Sequence, residues 1–201
     1  QDFSPYITKI KASGAQALLT GNWGPDMNLL IKAGIESGID LRYYTFYAHL
    51  AGGPTAIGPG GDGKVYSVMS FGENIAPEIG NKEAQAFTEG FRAKHNFDFS
   101  AAVFRTIFEH VAAGINKAGS LDPTKIAYAM EGQAMKDFLG FDTLMRGDDH
   151  QIMTAYYVGV FKKGVMFDAE KTGLGWANTA TILAPDVVQP TTCKMRRPAR
   201  G

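Results

Sequence analysis

Ala17-Leu18-Leu19-Thr20-Gly21-Asn22-Trp23-Gly24-Pro25-Asp26 is the stretch that decides the fold class. Residues 17–20 read as a short buried strand, and Pro25-Asp26 opens a helix with Met27, Leu30, Ile31 and Ile35 at helical spacing up to Gly38. Upstream, Ser4 reads as an N-cap with Pro5 at the first helical position; Tyr6, Ile7 and Ile10 share a face until Gly14 ends it. Downstream, 41–47 reads as an aromatic-rich strand. Helix, strand, helix, strand at this spacing requires parallel pairing and an α/β layer. In open α/β sheets small ligands bind where a strand ends and the next helix begins, because backbone N–H groups point into that crevice. The loop 21–26 has that position. Trp23 is expected as a flat wall for a small molecule and Asn22 as an amide partner for a carboxylate. Phe46 and Tyr47, ending the second strand at the same edge, form a candidate second wall. The alternative for each aromatic is burial in the core.

Composition limits the class. The chain has 201 residues with 20 basic and 20 acidic side chains, 45% hydrophobic, which marks a globular protein and neither a disordered nor a polyanion-binding one. No apolar run approaches the ~18–20 residues of a membrane span. No signal peptide stands at Gln1, so a secreted protein is expected in mature or truncated form. The one cysteine, Cys193, excludes an internal disulfide framework and a Cys-rich zinc site.

Further along, a glycine loop over 52–63 leads to a strand at 64–71. Three helices follow. Asn81 caps 82–95 with Ala84, Phe87 and Phe91 on its apolar face; Ser100 caps a helix to Ala118 with Val103, Ile107, Val111 and Ile115; Asp122-Pro123 opens a third that ends at Gly132. The composition then turns to β over 138–145 and 152–161, and the tail from Gly164 reads as loop. The chain begins on a helix, so its first strand has no upstream crossover, which implies a segment of something longer.

No chemical motif is complete. Residues 58–63 match G-x-G-x-x-G literally, but a strand follows where a dinucleotide site needs a helix, so a flexible surface loop is expected. His49, His95, His110 and His150 make no metal-ligand spacing; His110 reads as a packed or hydrogen-bonded helix residue, and Asp148-Asp149-His150 as a solvated turn. There is no nucleophile elbow, and Cys193 has no neighbouring histidine. The basic end, Lys194 to Arg200, is too short for a nucleic-acid site in a neutral chain.

Residues 2–7 (Asp-Phe-Ser-Pro-Tyr-Ile), 9–15, 20–24 (Thr-Gly-Asn-Trp-Gly), 54–58, 149–151 and the ending 190–195 (Pro-Thr-Thr-Cys-Lys-Met) resemble the branched-chain amino-acid (Leu/Ile/Val) solute-binding proteins of bacterial ABC transporters. The resemblance runs along nearly the whole chain and implies a type I periplasmic binding protein fold, two α/β lobes joined by three hinge-crossing strands, represented here by its C-terminal half. It implies that 1–64 belong to lobe 2, 65–145 to lobe 1, and 146–201 to a hinge crossing, a return to lobe 2 and a tail. It also implies a periplasmic, non-enzymatic protein without a cofactor, whose partners are a small-molecule solute, an inner-membrane ABC permease and the N-terminal half of the same protein. Trp23 then stands where the family places an aromatic against the ligand, with Asn22 before it, and Phe104 joins the pocket wall. Tyr47 stands where amino-acid binders carry an acid for the α-ammonium group, a departure that disfavours Leu, Ile and Val and favours a carboxylate, aromatic acid or amide. A sensing receptor of the same fold and an α/β enzyme are the competing readings.

Overall fold

The computed structural model describes residues 2–96, 99 and 102–199. Eight strands and eight helices are distinguished among them. They run α1 (Ser4–Ser13), β1 (Ala17–Leu19), α2 (Gly24–Glu36), β2 (Arg42–Thr45), α3 (Gly53–Ile57), β3 (Val65–Met69), α4 (Ile75–Glu78), α5 (Lys82–His95) and α6 (Ala102–Ala118). Then follow α7 (Pro123–Met130), β4 (Ala134–Lys136), β5 (Asp142–Met145), β6 (Ile152–Met153), β7 (Tyr156–Lys163), β8 (Leu174–Ile182) and α8 (Ala184–Val187). The elements form two compact units. One holds the described residues up to 99 together with 157–180; the other holds 102–156 and 181–199.

The first unit is built on a five-stranded sheet in the order β1-β2-β3-β7-β8. β1 and β2 pair in parallel, Leu19 opposite Tyr44; β2 and β3 do the same, Thr45 opposite Ser67; β3 and β7 run antiparallel, Ser67 opposite Gly159. Parallel neighbours need crossovers, and α2 supplies the first, burying Met27, Leu30 and Ile31 as its spacing requires. Val65, Ser67 and Met69 alternate inward along β3. Beside them on β7 and β8 stand Tyr157, Phe161 and Trp176, each at most 2% exposed, with the Phe161 and Trp176 rings 5.3 Å apart. Asn74 binds the Phe167 backbone twice, Nδ2 donating to its carbonyl and Oδ1 accepting from its N–H, both at 2.8 Å.

The second unit has a small antiparallel sheet, β4-β5-β6, and the pair α6 and α7. A Cβ on Gly114 of α6 would lie 2.4 Å from Met130 of α7, so glycine permits that close approach. His110 is fully buried and its Nε2 meets Thr143 Oγ1 at 2.8 Å, the packed, hydrogen-bonded role the sequence predicts.

Several expectations are corrected. β1 is not buried: it is an edge strand, and Leu19 is 72% exposed. Helix α1 starts one residue early, Asp2 Oδ1 accepting from the Ser4 N–H at 2.9 Å, so Ser4 is inside the helix and not its cap. The glycine segment is no loose loop; it contains α3 and a 3-10 turn at Pro59–Gly61, and a Cβ on Gly61 would lie within 2.2 Å of Ile57. α6 turns Ala102, Thr106, His110 and Gly114 inward and not the expected apolar row. The expected strand over 138–145 is a hairpin whose turn at 137–140 is closed by Asp137. The tail expected as loop carries the nine-residue β8 and α8. The N-cap expected at Ser100 lies outside the described residues.

Candidate functional site

β1 and β2 lie side by side and parallel, so the loops that leave their C-terminal ends emerge at one edge of the sheet. The first loop is organised by Thr20. Its N–H donates to the Tyr44 carbonyl at 3.0 Å, which extends the ladder one residue beyond β1. Its hydroxyl donates to Asn22 Oδ1 at 2.8 Å and accepts from the Asn22 N–H at 3.1 Å. The Asn22 carbonyl oxygen is thereby occupied, and its NH2 is the group left to address a ligand. Trp23 follows in extended backbone as the N-cap of α2 and is 72% exposed. Gly24 sits at φ +56, a left-handed conformation that glycine adopts without strain, and turns the chain from Trp23 into the helix.

The second loop leaves β2 with Phe46 and Tyr47, 44% and 43% exposed, their ring centroids 6.5 Å apart. Buried Thr45 anchors it, its hydroxyl donating to the Tyr66 carbonyl at 3.0 Å and accepting from the Ala48 N–H at 3.4 Å. His49 Nδ1 meets Ser67 Oγ at 2.8 Å, and its ring stands edge-on to Trp176 at 6.5 Å. Burial pushes the His49 pKa down to about 4, so the imidazole is neutral at neutral pH. The pair has the separation of a hydroxyl and its base, but Ser67 is 0% exposed, so this hydroxyl fastens the loop to the sheet and does not face a substrate.

Trp23, Asn22, Phe46 and Tyr47 are thus brought to one sheet edge. Phe104 is on α6 in the other compact unit, 60% exposed. Asp148, Asp149 and His150 are engaged by neighbours: Arg146 reaches both aspartates, at 3.2 and 2.7 Å, and His150 Nε2 lies 2.9 Å from Glu131. At the opposite edge of the first sheet, the N-terminal ends of β1–β3, a recess of about 470 Å³ is lined by Gln16, Asp40, Arg42, Asp62, Gly63 and Lys64. Four of these six residues are charged and none is aromatic. Sequence reading missed Thr20, His49 and Ser67 as groups that fasten these loops. His49 and Ser67 are 18 residues apart, and only Thr20, a hydroxyl two residues before an Asn, had a local signal.

Exposed aromatics beside amide and hydroxyl groups, at the carboxyl ends of parallel strands, define an α/β protein of the ligand-binding class. The family model described as periplasmic binding protein matches residues 1–165, and the chain belongs to that family. The Leu/Ile/Val-binding protein homolog 4 of Brucella abortus (strain 2308) is 30% identical over 206 residues, covering 98% of this chain and 48% of the relative. The crystal structure of the leucine-, isoleucine-, valine-, threonine- and alanine-binding protein of Brucella ovis, in its closed conformation, superposes with a TM-score of 0.86 at 27% identity, covering 98% of this chain and 51% of that one. An ABC-transporter solute-binding protein of R. palustris, in complex with 4-hydroxybenzoate, shares the fold with a TM-score of 0.73 at 19% identity, over 92% of this chain and 50% of that one. The chain therefore has the type I periplasmic binding protein fold and spans about half the length of the curated relatives it matches. The family is one of solute-binding proteins, periplasmic and not enzymatic. No helix among the described residues is long and apolar enough to cross a membrane.

Proposed function

We propose that this chain carries part of the solute site of a periplasmic ABC-importer binding protein, which captures a small organic acid and hands it to an inner-membrane permease. The observation that carries the reading is the convergence of Asn22-Trp23 and Phe46-Tyr47 at the ends of two adjacent parallel strands. The Asn22 NH2 is the donor for a carboxylate, while Trp23, Phe46 and Tyr47 supply the apolar walls. Tyr47 adds a phenol and no charge, so an ammonium group would have to be met from elsewhere. The solute class is accordingly a carboxylate on an apolar or aromatic body, with amino acids included where the remaining half supplies an acid.

Phe104, 60% exposed on α6, is a further candidate wall. Closure of the lobes on the ligand, favoured by its extra affinity for the closed form, is the mechanism. The N-terminal half of the longer polypeptide completes both lobes. Two observations support this: relatives extend to about twice the matched length, and α6 leaves Phe104, Ile107, Phe108 and Val111 exposed.

The test is calorimetric titration of the full-length protein with L-leucine and with 4-hydroxybenzoate, on wild type and Trp23→Ala. Submicromolar binding of one probe, weakened about tenfold or more in the variant, is the expected result. Binding of neither, equal binding by the variant, or chemical turnover of a bound probe would each overturn the reading.

A further inference from the structure

Loop 46–52 has little internal structure to fix the rings it presents. Two backbone bonds close its far end, Leu50 N–H to the Tyr47 carbonyl at 3.1 Å and Gly53 N–H to the Leu50 carbonyl at 2.9 Å. The remaining restraint comes from outside, and its most distant source is Glu170. One carboxylate oxygen accepts from the Gly52 N–H, and the other accepts from the Thr55 N–H at 2.8 Å and from the Thr55 hydroxyl. A single side chain, 115 residues beyond Thr55 in sequence, thus holds the end of the aromatic loop and the start of α3. Hydrogen bonds to an ionised carboxylate are about twice as strong as neutral ones.

Gly52 is gripped from the other side as well. Its carbonyl accepts from Asn28 Nδ2 at 3.5 Å, and Asn28 is on α2, the helix capped by Trp23. Gly52 itself has φ +84, and a Cβ on Gly53 would lie 2.0 Å from the Ala48 carbonyl oxygen, so this corner accepts glycine alone. Glu170 is presented by an ordered turn. Asp168 accepts from the Thr172 hydroxyl at 3.4 Å and from the Gly173 N–H, its carbonyl accepts from the Lys171 N–H at 3.2 Å, and Lys171 takes φ +57. The turn 168–173 is therefore a bracket whose one arm reaches the ligand loop.

We propose that Glu170 is a positioning residue of the binding site: by clamping Gly52 and Thr55 it fixes the loop that presents Phe46 and Tyr47, and so sets solute affinity from the 168–173 turn without touching the solute. The proposal rests on the solute-binding reading above. Its structural half is independent of any ligand.

Hydrogen exchange and calorimetry on the full-length protein test it, comparing wild type, Glu170→Gln and Thr55→Val. The glutamine keeps the shape and removes the charge, and with one acceptor oxygen it must set its NH2, a donor, against either the Gly52 or the Thr55 N–H. Amides of 46–55 in Glu170→Gln are expected to exchange about tenfold faster while those of β3 stay unchanged, and the probe bound by wild type, L-leucine or 4-hydroxybenzoate, is expected to bind about tenfold more weakly. Thr55→Val, which removes one of the three bonds, should shift both readouts the same way by less, and it decides the matter if Glu170→Gln does not fold. Unchanged exchange at 46–55, exchange that rises equally in β3, or a loosened loop with undiminished affinity would overturn the proposal. If wild type binds neither probe, the solute reading fails, and the clamp then stands or falls on the exchange of 46–55.

Discussion

The two units hide opposite kinds of residue. The first buries Trp176, Phe161, Tyr157 and Tyr43 on the strands of its sheet, all nearly free of solvent contact. The second has the longest helix among the described elements, yet α6 buries Ala102, Thr106, His110 and Gly114 and leaves Phe104, Ile107, Phe108 and Val111 outward. A helix normally turns its large apolar face to the core. Here the inner face is occupied by small residues that let α7 come close, and by a histidine that must bond to Thr143. The difference teaches that small residues and a hydrogen-bonded histidine can hold a helix's inner face while a larger apolar stripe stays outside.

The sharpest way to break this comparison is at its two extremes. Trp176→Ala should cost about 3–5 kcal/mol, since it empties a full aromatic volume from a closed core. Phe108→Ala in this 201-residue chain should change stability by less than about 0.5 kcal/mol, Phe108 being 73% exposed. The same substitution in the full-length protein should cost about 3 kcal/mol if the other half covers it. Urea unfolding of the three variants beside the wild type of each length checks both statements, and an equal cost for Phe108→Ala in short and full-length chains would erase the distinction.

Acid should weaken the first unit through His49. Its pKa in the folded state is about 4 against an ordinary 6.5, because burial disfavours the imidazolium. Between these values the unfolded chain binds the extra proton, so this contribution is whole above pH 6.5 and drains as pH falls toward 4. The loss is on the order of 3 kcal/mol at most. His110 is depressed by burial too, with Glu109 opposing, and adds in the same direction in the second unit. Unfolding free energies of wild type and His49→Gln between pH 7.5 and 4.5 separate the two, since the variant should keep only the His110 slope. Identical slopes would remove His49 from the account.

A smaller effect is expected at the loop corner. Gly53→Ala places a methyl 2.0 Å from the Ala48 carbonyl oxygen and should cost about 1–3 kcal/mol, seen as a lower melting temperature. A comparable but smaller loss belongs to Thr143→Val, which removes the His110 partner at 2.8 Å and should cost about 1–2 kcal/mol in the second unit. Against Gly53→Ala it measures whether each unit melts on its own.

Much of the architecture was legible. Gly14, Pro25, Asn81 and Asp122-Pro123 punctuate helices at or next to where the sequence places them, and Asn81 and Asp122 do cap, each accepting from the N–H three residues on. The candidate loop was legible too, since Gly21-Asn22-Trp23-Gly24 cannot continue either neighbour. Exposure was not: Leu19 looks like core and lies at an edge, while Trp176 sits in a tail that reads as loop and is 2% exposed.

What the sequence by itself determined is local and directional: turns from glycine φ, helix starts from caps and proline, and parallel pairing from the helix between β1 and β2. The tertiary structure decided which faces are inside and what holds the site in shape. Those answers depend on groups brought together from far along the chain, such as Glu170 on Gly52 and Thr55, Ser67 on His49 and Thr143 on His110. A hydrogen bond between residues many positions apart leaves no periodicity in either segment, and only the folded backbone brings its two ends within reach.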